Sequence, residues 1–205
     1  MRILFLHLIL LFCAGCGGIF ITDPVDPRLP MYTESGHNVA GALINNTTWK
    51  ARQTSGWLSG DDVRLQKYSN DSLVFSIIGA KHFYKGENQV DSTFTTQLYF
   101  SFYQQGINAL EALSVLEGRI IALDGQQNYG AIQYHTRRQE FDCTYLNGTG
   151  QLFFKRIQID TERKEAIVSG TFGFTHPETD CEPIEVYYGR FDFRLSLGDN
   201  LYIAS

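Results

Sequence analysis

Apolar side chains recur at every second position along most of the chain. The clearest case is residues 93–103, where Phe94, Thr96, Leu98, Phe100 and Phe102 share one face. A period of two puts successive side chains on opposite faces of an extended strand, one face buried and the other not. Residues 148–160 and 166–174 flank a charged tip at 161–165. In the second of these, Ala166, Val168, Gly170, Phe172 and Phe174 share a face, with Ser169, Thr171 and Thr175 on the other. This predicts a long hairpin, and a hairpin alone is marginal in water. Further strands are predicted at 39–44, 47–52, 62–68, 72–79, 118–123, 129–135, 140–145 and 183–188. A last strand starts at Gly189, where Phe191, Phe193 and Leu195 alternate with the charged face Arg190, Asp192 and Arg194. Asn45-Asn46 supplies the first turn, because Asn tolerates positive φ. Residues 107–116 depart from period two: Ile107, Leu110 and Leu113 sit at helical spacing and predict one short helical turn. The expected fold is all-β: a single antiparallel β-sandwich or partly closed barrel of roughly ten strands, with at most one short helix.

Composition agrees with this pattern. The chain has 205 residues, enough for one domain with a real core, and carries 15 Phe, 11 Tyr and 19 Gly. Its 17 Lys+Arg against 22 Asp+Glu give a net charge of -5, which disfavours nucleic acid as a partner.

Residues 1–15 stand apart from the fold. Arg2 precedes an apolar run at 3–12, too short to span a bilayer and suited to a signal-peptide core. At Ala14-Gly15-Cys16 the segment resembles a bacterial lipoprotein signal, with Cys13 where that family usually carries Leu. The resemblance implies cleavage before Cys16 and lipidation of its thiol; the alternative is an ordinary secretory signal. Two or more acyl chains anchor a protein stably, whereas one binds marginally. Gly17 after the cysteine resembles the outer-membrane sorting pattern, so an outer-membrane, lipid-anchored location is expected, facing either the periplasm or the surface. Residues 16–38 read as an extended tether, because 23–30 hold three of the five prolines. The globular domain is then expected over 39–205. Asp23 and Asp26 are too few oxygen donors for a calcium loop and read as solvated linker charges.

A second resemblance covers roughly residues 39–197. The stretch Ala42-Leu-Ile-Asn45, followed by Trp49-Lys-Ala51, resembles the start of small Bacteroidetes outer-membrane lipoprotein domains of unknown function. Gly170-Thr-Phe-Gly-Phe174 and Gly189-Arg-Phe-Asp192 resemble their closing strands. The resemblance implies a β-rich fold in the cell envelope and no activity or functional residues.

Candidate chemistry is sparse. With Cys13 removed and Cys16 lipidated, Cys143 and Cys181 remain, and an even pair in an exported chain reads as a disulfide; two separate thiols is the alternative. The five His are dispersed, and Glu178, Asp180 and Glu182 near His176 read as solvated loop acids, so no metal or cofactor is expected. There is no Gly-x-Ser-x-Gly elbow. A hydrolase could assemble paired carboxylates in space, for example Glu140 with Asp142, which share a strand face. They read equally as charges guarding a sheet edge. Aromatics are the better binding signal. Tyr187 and Tyr188 are adjacent, so in a strand one must face outward, and Trp57 sits in a glycine-flanked loop. Capping of the core is the alternative for all three. Asp71-Ser72-Leu73 and Asp91-Ser92-Thr93 resemble the acceptor tripeptide for periplasmic O-glycosylation in Bacteroidetes, at Ser72 and Ser92. The expected function is a lipid-anchored binding or accessory module for a glycan or an envelope protein, without catalysis. A lipid-anchored glycan hydrolase is the runner-up and a structural envelope component the third reading.

Overall fold

Among the described residues, eight of eleven strands close a barrel. The structure, a computed structural model, describes residues 26–52, 62–68, 70–84, 90–135, 144–177 and 182–203. The strands are β1 (Val39–Ile44), β2 (Thr47–Ala51), β3 (Val63–Lys67), β4 (Ser72–Tyr84), β5 (Val90–Tyr103), β6 (Arg119–Asp124), β7 (Tyr129–His135), β8 (Thr144–Asp160), β9 (Glu165–His176), β10 (Ile184–Ser196) and β11 (Leu201–Tyr202). Eight of them, in the order β4-β2-β1-β10-β9-β8-β7-β5, form an antiparallel barrel that the β4–β5 pair closes. The other three lie outside the ring. β3 pairs β4, β6 pairs β8, and β11 runs parallel to β3. Two long strands make this possible by changing partner midway. β4 faces β3 over Leu73–Ile77 and β2 over Gly79–Lys81, and β8 faces β7 near Thr144–Gly148 and β6 over Thr149–Phe154. The all-β class holds as expected, with one short helix among the described residues. The helix is a 3-10 helix, Leu110–Leu116, and Ile107, Leu110, Leu113 and Leu116 all enter the core from it and its approach. Three residues per turn put side chains at i and i+3 on one face, which is the spacing the sequence shows.

The barrel interior is a core. Phe75, Phe100, Phe102, Phe154, Phe172, Phe174, Phe191 and Phe193 are all buried. Phe75 alone has ring centroids 5.0 Å from Phe191, 6.1 Å from Phe154, 6.2 Å from Phe100 and 6.4 Å from Phe193. An eight-stranded barrel is just wide enough for side chains to fill it. Trp49 adds a polar bridge, its Nε1 donating to Thr96 Oγ1 at 2.6 Å with both residues buried. Gly79 leaves the space for that indole, since a Cβ there would lie 2.4 Å from the ring.

Residues 26–38, expected as part of the tether, pack against the barrel. They form a strap across its outer face. Leu29 has no exposed surface. Asp192 holds the strap: its carboxylate accepts from Thr33 Oγ1 at 2.5 Å and from the backbone N–H of Ser35 (3.1 Å), Gly36 (2.8 Å) and His37 (3.0 Å). The final strand was expected to show a charged face. Asp192 is instead 1% exposed, because the strap covers it. For the same reason Ile167 and Ser169, on the outer face of β9, are buried. Burial works against the charge on Asp192, but these four donors outweigh it and hold its carboxyl below the usual carboxylate range.

Candidate functional site

The strap and a bulge in β10 frame a cleft on the outside of the barrel. Between Val186 and Gly189, β10 advances three residues while β9 advances two, from Phe174 to Phe172. The extra residue bulges, and Tyr188 takes φ 52°, a left-handed conformation that a bulky side chain rarely adopts. The bulge leaves Tyr188 64% exposed, while Tyr187 is half-buried; their ring centroids are 5.2 Å apart at 65°. Strain of this kind collects at ligand sites.

The cleft holds about 470 Å³, and its lining includes Tyr32 from the strap, Gln151 from β8, Thr171 and Gly173 from β9, and Tyr187, Tyr188 and Arg190 from β10. Gly173 makes the floor. A Cβ there would meet only the Val186 carbonyl oxygen at 3.2 Å and Tyr187 Cα at 3.9 Å, so a larger side chain would stand up into the cleft. Both walls are held in place. Tyr187 Oη lies 3.3 Å from Asn46 Oδ1, which also accepts from Arg28 Nη1 at 3.2 Å, while Arg28 pairs with Asp26 at 2.8 Å. Tyr32 packs under Lys155, whose ammonium is 5.1 Å from the ring centre and 2.6 Å from Glu34 Oε1. Burial pushes the Tyr32 phenol up to about 12, so it stays neutral. The Arg190 guanidinium donates to the Tyr188 and Pro30 carbonyls at 3.4 and 3.3 Å, and it adds to the attraction that lowers the Asp26 carboxyl, where Arg28 is the main cause. The cleft therefore offers aromatic rings, an amide and a hydroxyl, with its one cation balanced nearby.

A second cleft of about 540 Å³ lies at the rim, lined by Asp124, Asn147, Thr149, Thr175, His176 and Glu185 among others. Asp124 accepts from the backbone N–H of Asn128 and Gln126, which hold its carboxyl low.

Of the residues singled out in the sequence, Tyr187 and Tyr188 meet at the first cleft. Ser72 opens β4 beside Asp71, whose φ is 60°, and its hydroxyl donates to Asn70 Oδ1. Ser92 falls within β5, opposite Phe83. Cys16, Trp57, Glu140, Asp142, Cys143 and Cys181 lie outside the described residues. Tyr32, Gln151 and Gly173 were not anticipated. Only the strap's position makes Tyr32 a neighbour of Tyr188, and Gln151 reaches the site through its register opposite Gly173. Among the described residues, no group of three or more His, Cys, Asp or Glu is arranged to hold a metal ion. Comparison of the chain with known protein families, characterised proteins and solved structures gives no match.

Proposed function

We propose that the protein is a lipid-anchored cell-envelope module that binds a neutral glycan in the cleft between Tyr32 and Tyr188. One observation carries the reading: an exposed tyrosine and two half-buried ones surround an open glycine floor, beside the neutral hydrogen-bonding groups of Gln151 and Thr171. Tyrosine presents an apolar face and a polar tip, which suits the two-sided character of a sugar ring. Amides and hydroxyls both donate and accept, as sugar hydroxyls do. The cleft volume lies in the range of small-molecule sites.

The anchoring half of the proposal rests on the sequence. Cys16, after Ala14-Gly15, takes lipid; Gly17 directs the protein to the outer membrane, and residues 16–25 space the barrel from the bilayer. The barrel carries apolar side chains inward, the reverse of a membrane-spanning barrel. That pattern supports attachment through the N-terminus. The resemblance to small Bacteroidetes outer-membrane lipoprotein domains points the same way.

A glycan array probed with residues 17–205, wild type and Tyr188→Ala, tests the binding reading. Binding of at least one neutral glycan, lost in the variant, is expected. An array without signal, or signal indifferent to Tyr188, overturns it.

A further inference from the structure

The two clefts lie on one face of the same three strands. Thr149 of β8 stands opposite Thr175 of β9, which stands opposite Glu185 of β10. Two residues along, Gln151 stands opposite Gly173, with Tyr187 beside it across the bulge. Two further along, Phe153 stands opposite Thr171, which stands opposite Arg190. Residues two apart on a strand share a face. The rim cleft is built on the first row, and the strap cleft takes in the second and part of the third.

We infer that these clefts are the two ends of a single groove and that its ligand is a linear, uncharged oligosaccharide lying along β9. The inference rests on the glycan-binding reading and adds the form of the ligand. From Thr171 to His176 the strand rises about 17 Å at roughly 3.3 Å per residue, several times the width of one sugar ring. Gly173 is the midpoint, where any larger side chain would divide the groove. The chemistry changes along its length. Tyr188 and Tyr187 stand edge to face at the strap end, and Thr149, Thr175 and Asn147 present hydroxyls and an amide toward the rim. Asp124 and Glu185 stand at the far end and disfavour an anionic chain by like-charge repulsion. An extended peptide is a poorer occupant. It gains main-chain hydrogen bonds by adding to a sheet edge, and β9, the strand that floors the groove, is already paired along both sides.

Chain length tests the inference. Malto-, cello- and N-acetylglucosamine oligosaccharides of one to six units are titrated calorimetrically into the full domain, wild type, Tyr188→Ala and Thr149→Val/Thr175→Val. At the exposed positions 149 and 175, valine removes two hydroxyls and keeps the side-chain shape. Affinity is expected to rise at least tenfold from disaccharide to tetrasaccharide. The double valine variant should lose about tenfold toward the tetrasaccharide, the worth of two hydrogen bonds, and leave the disaccharide unchanged. Equal affinity for short and long chains, or a tetrasaccharide indifferent to the valines, overturns the groove. A short-chain signal abolished by Tyr188→Ala then shows that the binding site itself stands. No binding at any length, together with a blank array, removes both.

Discussion

Trp49 donates its indole N–H to Thr96 Oγ1 at 2.6 Å inside the barrel, linking β2 to β5. These strands are not paired; β4 lies between them, and Gly79 of β4 leaves the gap that the indole crosses. The bridge spans the place where the barrel closes. Thr96→Val keeps the volume and strands a buried donor, so a loss of about 1–3 kcal/mol is expected in urea unfolding. Gly79→Ala should cost at least as much, because the methyl has no room beside the ring. A Thr96→Val protein as stable as wild type would show that the bridge contributes nothing.

Asp192 makes strap docking acid-sensitive. Its folded-state pKa is depressed, so its contribution is present above the ordinary carboxylate range and lost as pH falls through the folded value. Stability measured by urea unfolding should therefore fall between neutral pH and about pH 3 more steeply in wild type than in Asp192→Asn. At neutral pH that variant should be less stable by about 2–3 kcal/mol, because three backbone donors and one hydroxyl lose a charged acceptor. Matching pH profiles for the two proteins would contradict this role. Since Tyr32 reaches the cleft on the strap, the same variant should weaken glycan binding without touching the ligand.

Tyr188 sets stability against binding. Its left-handed conformation costs on the order of 1–3 kcal/mol, and Asn tolerates that region far better. Tyr188→Asn is expected to leave the melting temperature unchanged or raise it by a few degrees, while removing glycan binding. A clear fall in melting temperature would mean that the ring holds the bulge in place.

Much of the barrel was legible in the sequence. Leu98, Phe100 and Phe102, and again Phe191, Phe193 and Leu195, alternate with no interruption and are all buried. Leu110 and Leu113 keep their helical spacing because the 3-10 helix brings them to one face, and Ile107 joins them in the core from its approach. Closure was not legible, because it depends on β4 finding both β2 and β5, and period two does not name a partner. The strap was hidden for a different reason. Its prolines and charges have the composition of a solvated spacer, and the carboxylate that captures it lies more than 150 residues away, at Asp192. Tyr187 and Tyr188 were identifiable as neighbours with one ring facing outward. The bulge that turns them into a wall was not, since nothing in Val186-Tyr-Tyr-Gly189 fixes where the extra residue falls.

The disulfide proposed between Cys143 and Cys181 has a specific consequence. Residues two and one positions beyond them, Tyr145 and Glu182, lie close enough for the acid to help raise the Tyr145 phenol, after burial. Tyr145 also meets His176 with ring centroids 5.4 Å apart. Both chain segments therefore reach one rim of the barrel. Intact mass of the exported protein after alkylation without reductant should show no modified Cys143 or Cys181, and reduction should cost about 3–4 kcal/mol. Two alkylated thiols would exclude the bridge. Palmitate label on wild type and its absence from Cys16→Ser should accompany this result.

Amide chemical-shift mapping of the domain with its best-binding neutral oligosaccharide tests the central proposal most directly. The largest changes are expected at Gln151, Gly173, Thr175 and Tyr188, along one face of β8, β9 and β10. Saturating binding with its largest changes elsewhere, such as around the exposed Ile120 of β6, would contradict it.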